Sequence, residues 1–214
     1  MELIRKLVLL MVVLGTSIAN AVPITYTFTG TATGTIGATS FSNATLTISV
    51  TLDTSNVTNS PSFFQNPYAA NTATFSIGGV GSGTLSNSGA ISLNQSAFGG
   101  IVEMYDNSLH DYIIEVDGNS IGSTALTGYA LKTAIGPVGP QTGNQANLTN
   151  VATSRGNLTV GLFNINNLTF QATISAVPAT PIPSSFYLCV AGLAAMSIHA
   201  AARRRRGMKE RACS

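Results

Sequence analysis

The sequence predicts an all-β domain, an antiparallel β-sandwich of jelly-roll-like type, over residues 22–176. Three observations carry that prediction. Apolar residues alternate with threonine and serine at a period of two in several segments, the pattern of strands with one face buried. Glycine and asparagine clusters break the chain between those segments. No stretch of this body shows a convincing helical period.

The first 21 residues read as a secretory signal peptide. Arg5 and Lys6 form a positive start, and Leu7 to Ile18 is a run of 12 apolar and small residues. As a helix that run is about 18 Å long, short of the roughly 30 Å hydrocarbon core of a bilayer. Ala19-Asn20-Ala21 supplies the small-x-small pattern that signal peptidase accepts, which places cleavage after Ala21.

Strands follow at once. Ile24, Tyr26 and Phe28 alternate with threonine, and Ala44, Leu46, Ile48, Val50 and Leu52 alternate with Thr45, Thr47, Ser49 and Thr51. Leu168, Phe170, Ala172 and Ile174 repeat the pattern near the end of the body. Threonine suits the outer positions because it is β-branched and still soluble. Further strands are predicted at Ala73 to Ile77, Ala90 to Asn94, Gly100 to Tyr105, Tyr112 to Val116, Ala125 to Lys132 and Asn157 to Phe163. Eight to ten short strands suit a sandwich. The glycine run from Gly78 to Gly83 reads as turn, and Gly136 to Gly156 as a long mobile loop.

The C-terminal end has a different composition. Val177 to Ser185 holds Pro178, Pro181 and Pro183 and reads as a stiff polar hinge. Phe186 to Ala202 is an apolar stretch of 17 residues, roughly 25 Å as a helix, at the lower limit for a membrane span. Six of its residues are alanine, so the adjoining Arg203, Arg204, Arg205 and Arg206 carry the assignment. A cationic cluster holds that end in the cytoplasm, which leaves residues 22–185 outside and 203–214 as a cytoplasmic basic tail. His199, four residues before Arg203, reads as an interfacial residue.

The whole chain has a net charge of +2, but residues 22–176 hold two cations, Lys132 and Arg155, against six carboxylates, a net of −4. The basic character belongs to the targeting ends, which speaks against nucleic-acid binding. Cys189 and Cys213 both lie beyond the body, so it is expected to fold without disulfides.

Five of the six carboxylates, Glu103, Asp106, Asp111, Glu115 and Asp117, cluster at a predicted hairpin. Glu103, Asp106 and Asp111 are the candidate ligands for a Ca²⁺ ion, a hard cation that takes carboxylate and carbonyl oxygens. A solvated turn is the simpler reading, and no cofactor is expected. His110 beside Asp106 or Asp111 suggests acid–base chemistry, although neighbours on a turn rarely face one another. Gly118-Asn119-Ser120-Ile121-Gly122 fits G-x-S-x-G but lacks a following helix and a downstream histidine in the body. Six N-x-[ST] triplets, at Asn43, Asn56, Asn94, Asn147, Asn157 and Asn167, reflect a composition rich in asparagine and threonine.

The signal peptide, proline hinge, hydrophobic helix and arginine cluster together resemble the PEP-CTERM proteins, bacterial substrates of exosortase. The family's Pro-Glu-Pro is Pro181-Ile182-Pro183 here, with Pro178 just upstream. The resemblance implies cutting near Pro181 to Pro183 by an exosortase-like transpeptidase at the bacterial inner membrane, then release or transfer of the body to the cell surface or matrix. The chain is accordingly expected to be a processed, non-enzymatic surface or extracellular-matrix protein. The alternative is a module that binds carbohydrate, such as an exopolysaccharide, with Tyr26, Tyr68, Tyr105, Tyr112 and Tyr129 as candidate stacking rings. An exported hydrolase built on His110 is the third.

Overall fold

The computed structural model describes residues 22–96, 99–141 and 148–175. The predicted signal peptide with Ala19 and Ala21, the proline motif, the membrane helix and the arginine cluster lie outside the described residues. Among the described residues no helix is long and apolar enough to cross a membrane.

The fold is all-β and antiparallel. Its strands are β1 (Pro23–Ile36), β2 (Thr39–Asp53), β3 (Thr58–Ser60), β4 (Phe63–Tyr68), β5 (Thr74–Ile77) and β6 (Gly81–Thr84), then β7 (Gly89–Asn94), β8 (Ile101–Asp106), β9 (Asp111–Asp117), β10 (Ile135–Gln141), β11 (Leu148–Val151) and β12 (Leu158–Ile174). The first sheet runs β10-β12-β1-β2-β5-β6, with β11 also paired to β12, and the second runs β3-β4-β7-β8-β9. In a jelly roll, successive strands mostly change sheets. Here β1–β2, β5–β6, β7–β8 and β8–β9 stay within one sheet, so the strand order departs from the jelly-roll-like wrap.

The alternation read in β1 and β2 is what packs this sheet. Ile24, Tyr26, Phe28, Leu46, Ile48 and Val50 are buried, each 2% exposed or less, while the intervening threonines face out. Outward hydroxyls pair across the strands, as between Thr25 and Thr51 at 2.8 Å and from Ser49 to Thr27 at 3.1 Å. A two-residue turn joins β1 to β2, with Gly37 at a φ of +53°.

The second sheet contributes Ile91, Leu93, Val102, Met104, Ile114 and Val116 to the same core cluster. Buried polar links tie the two sheets: Asn66 on β4 donates to the Tyr26 hydroxyl on β1 at 3.0 Å, that hydroxyl donates to the Leu131 carbonyl at 2.6 Å, and Asp117 N on β9 donates to Gln141 Oε1 on β10 at 2.9 Å. Burial pushes the Tyr26 hydroxyl up to about 12, and the Asn66 bond opposes that rise.

Two segments differ from expectation. Ala125 to Lys132 is a string of turns rather than a strand, closed by bonds from Thr127 N to Thr124 O and Tyr129 N to Leu126 O. Its apolar side chains still enter the core, where Leu126 and Leu131 are fully buried and Tyr129 meets Phe170 edge-on. Burial without sheet pairing had produced the strand-like pattern. Conversely, most of the described part of 136–156 is β10 and β11 rather than loop. β10 meets β12 only at Ile135, Val138 and Gln141, every third residue, so its Gly-Pro repeats fit without breaking a two-residue alternation. β3, β4 and β6 were also invisible to the pattern, being short, proline-bearing or glycine-rich.

Candidate functional site

The outward face of the second sheet carries the densest chemistry. Cross-strand register lines up Gln65, Ser92, Glu103 and Glu115 on β4, β7, β8 and β9 in one row. A second row beside it is Pro67, Ala90, Tyr105 and Tyr112, and a third is Phe63, Asn94, Ile101 and Asp117. Each row is about 14 Å long, and neighbouring rows are about 7 Å apart. The face is therefore striped, with an apolar shelf ending in two tyrosines next to a polar row ending in two carboxylates.

A β-bulge makes this alignment. Met104 pairs with Ile114 and Tyr105 with Tyr112, which leaves Ile113 as the extra residue on β9. Ile113 and Ile114 are both buried, at 0% and 1% exposed. Tyr112 and Glu115, three residues apart, consequently share the outer face. Unbroken alternation would put them on opposite faces.

The hairpin that holds these strands is fixed by Asp106. Its fully buried carboxylate accepts from Asn87 Nδ2 at 3.0 and 3.3 Å, from Ser108 N at 2.8 Å and from Leu109 N at 3.1 Å. The turn places His110, exposed, at a φ of +55°. Tyr105 is held from behind: the Tyr68 hydroxyl donates to its carbonyl at 3.0 Å, and burial raises that hydroxyl's pKa strongly. Gly89 makes room for this, because a Cβ there would lie 1.9 Å from the Tyr105 carbonyl oxygen.

The carboxylates repel one another. Burial pushes the Glu115 carboxyl up to about 7, with Glu103 and then Asp117 adding to the rise. Burial and then Asp111 raise Glu103. Glu115 is 8% exposed, and no hydrogen-bond donor to its carboxylate is described. The Tyr112 hydroxyl is raised by burial first and then by Glu115, Asp111 and Glu103, so its ring lies beside the pair. Gln65 donates to Ser92 at 3.4 Å further along the row. Beyond Gln65, a depression of about 190 Å³ between β3 and β4 is lined by Thr58, Ser60 and Phe63 among others.

The predicted cation ligands do not converge. Glu103 lies on the outer face, whereas Asp106 points inward, and the Asp111 carboxylate accepts from Tyr112 N at 2.9 Å. Among the described residues no group of three His, Cys, Asp or Glu side chains could hold a metal ion. His110 makes no described hydrogen bond to Asp106 or Asp111. Gly118 to Gly122 forms a capped turn, with Ser120 Oγ donating to Asp117 at 2.7 Å and no helix following. Of the five candidate tyrosines in the body, Tyr26, Tyr68 and Tyr129 are core residues at 4% exposed or less, and Tyr105 and Tyr112 are the two on the outer face.

A larger concavity of about 530 Å³ lies at the far end of the β1–β2 hairpin, lined by Thr35, Ser40, Phe41 and Thr159 among others. It carries no titratable side chain, so the chemistry favours the striped face. Gln65 and Phe63 were not singled out in the sequence because β4 alternates poorly, and Ser92 was not because it lies in the predicted strand β7 with nothing in its own residue type to mark it. No protein-family model, curated protein or solved structure matches the chain.

Proposed function

We propose that this chain is an exported, non-enzymatic surface or extracellular-matrix protein, delivered through its PEP-CTERM-like tail, whose body binds carbohydrate on the outer face of the second sheet. The observation that carries the binding reading is the pairing of Tyr105 with Tyr112 directly beside the pairing of Glu103 with Glu115. A pyranose has an apolar face that stacks on an aromatic ring and an edge of hydroxyls that donate to carboxylates. Adjacent apolar and acceptor rows meet both needs without a deep pocket. Against a hydrolase built on His110 stands the use of the Asp106 oxygens, all described bonds of which go to Asn87 and the turn backbone.

The delivery reading rests on the residues of the tail, Pro178, Pro181, Ile182, Pro183 and the four arginines. The test is retention of the mature protein on immobilised polysaccharides, with intact mass recorded on the same sample. Retention on at least one polysaccharide, lost in a Tyr105→Ala/Tyr112→Ala double variant, is expected. A mass ending near Pro183 supports the processing. A chain that binds no polysaccharide refutes the carbohydrate reading, and one that still ends at Ser214 refutes the processing.

A further inference from the structure

We infer that the gap between the two sheets is a binding site for one buried water molecule, which bridges the Asn66 side-chain oxygen on β4 to the Tyr129 hydroxyl of the segment joining β9 to β10; this stands apart from the carbohydrate reading above.

Asn66 is fully buried, and both protons of its amide are committed. They go to the Tyr26 hydroxyl at 3.0 Å and to the Asp53 carbonyl at 3.1 Å. Turning the amide over would set its oxygen against the Asp53 carbonyl, acceptor against acceptor, so its orientation is fixed. The Oδ1 atom is left as a buried acceptor with no partner among the described residues. The hydroxyl of Tyr129, also a buried residue, is without a partner as well. Buried polar atoms are ordinarily paired, with protein or with ordered water.

Both atoms belong to one neighbourhood. The Tyr26 and Tyr129 rings pack on the same Phe170 ring, with centroids 6.4 and 6.1 Å from it, and the Tyr26 hydroxyl acts on that of Tyr129 electrostatically. Asn66 meets the same Tyr26 hydroxyl. Tyr26 has no proton left to give, because it donates to the Leu131 carbonyl at 2.6 Å. Asn66 Oδ1 needs a donor and Tyr129 has a proton to donate, yet the two do not bond each other. Water fits between them, since it accepts from one, donates to the other and is small enough for a packed core. A hard cation such as Ca²⁺ takes about six or more oxygens, more than these side chains offer.

The bridge pins a strained segment. Leu131 is fully buried at a left-handed φ of +57°, a conformation that costs a residue with a side chain. Two bonds already hold the segment: the Tyr26 bond to Leu131 ties it to β1, and Gln95, next after β7, donates to the Tyr129 carbonyl. The water adds a tie to β4.

The experiment is a crystal structure of the full chain at atomic resolution, paired with magnetic relaxation dispersion of solvent water on the parent and on Tyr129→Phe. Density for a water within about 2.6–3.2 Å of both Asn66 Oδ1 and the Tyr129 hydroxyl is expected. Tyr129→Phe keeps the ring and should lose one long-lived water from the dispersion amplitude. Amide exchange from Leu126 to Leu131 should quicken by roughly tenfold in that variant. A dry gap, a direct bond between Asn66 and Tyr129, or an unchanged number of long-lived waters in the variant would overturn the inference. Unchanged exchange would overturn the pinning. Where Tyr129→Phe fails to fold, the density in the parent decides alone.

Discussion

Glu115 should make this protein less stable as the pH rises, and replacing it with glutamine should remove that loss. Its carboxyl lies near 7 in the folded chain against an ordinary value of 4.5, chiefly because it is buried and then because Glu103 and Asp117 repel its charge. Between those two values the folded state holds more protons than the unfolded state. Stability from this group is therefore full below about 4.5 and lost as the pH climbs through about 7. Solvent screening of this outward-facing carboxyl brings the worth of that gap to about 1–2 kcal/mol. Glu115→Gln keeps the shape and stays neutral, so it should match the parent at pH 4 and exceed it by about 1–2 kcal/mol at pH 8. For a body of this size that corresponds to a melting temperature higher by about 2–8 °C. Urea unfolding at pH 4, 6 and 8 reads it through tyrosine fluorescence, unobscured because the chain has no tryptophan. A variant no more stable than the parent at pH 8, or an advantage already complete at pH 4, refutes the reasoning. Glu103→Gln should move the transition to lower pH, since Glu103 is one of the charges that raise Glu115.

Asp106→Ala deletes the acceptor for Asn87, Ser108 and Leu109 beneath the β8–β9 turn, and should cost about 3 kcal/mol or more in chemical unfolding. Asp106→Asn, which keeps one acceptor oxygen, should recover part of that loss. Tyr26→Phe removes the hydroxyl that joins Asn66 to the Leu131 carbonyl. It should lower stability by about 1–2 kcal/mol in the same assay while leaving sugar binding intact, because the bond lies between the sheets.

The period-two runs made the long strands legible. In β1, β2 and the Leu168 to Ala172 part of β12, the apolar residues face the core and the threonines face out, while Ile174 at the strand's end is exposed. The same pattern misled at Ala125 to Lys132, where apolar residues are buried from a turn-rich segment. It was silent at β10, whose contacts recur every third residue. The carboxylate cluster at the predicted hairpin was visible, but its roles were not. Asp106 faces inward as a turn brace, and Glu115 faces outward as half of a pair.

By itself, the sequence determined what short-range order can encode: an all-β body, its negative charge, the faces of its longest strands and the motifs at its two ends. Only the tertiary structure decided the striped face. Its residues come from four strands spread between Phe63 and Asp117, and they align through register. The single extra residue Ile113 turns Glu115 to the side of Tyr112. A bulge is set by how β8 and β9 pack together, and periodicity within one strand carries no trace of it.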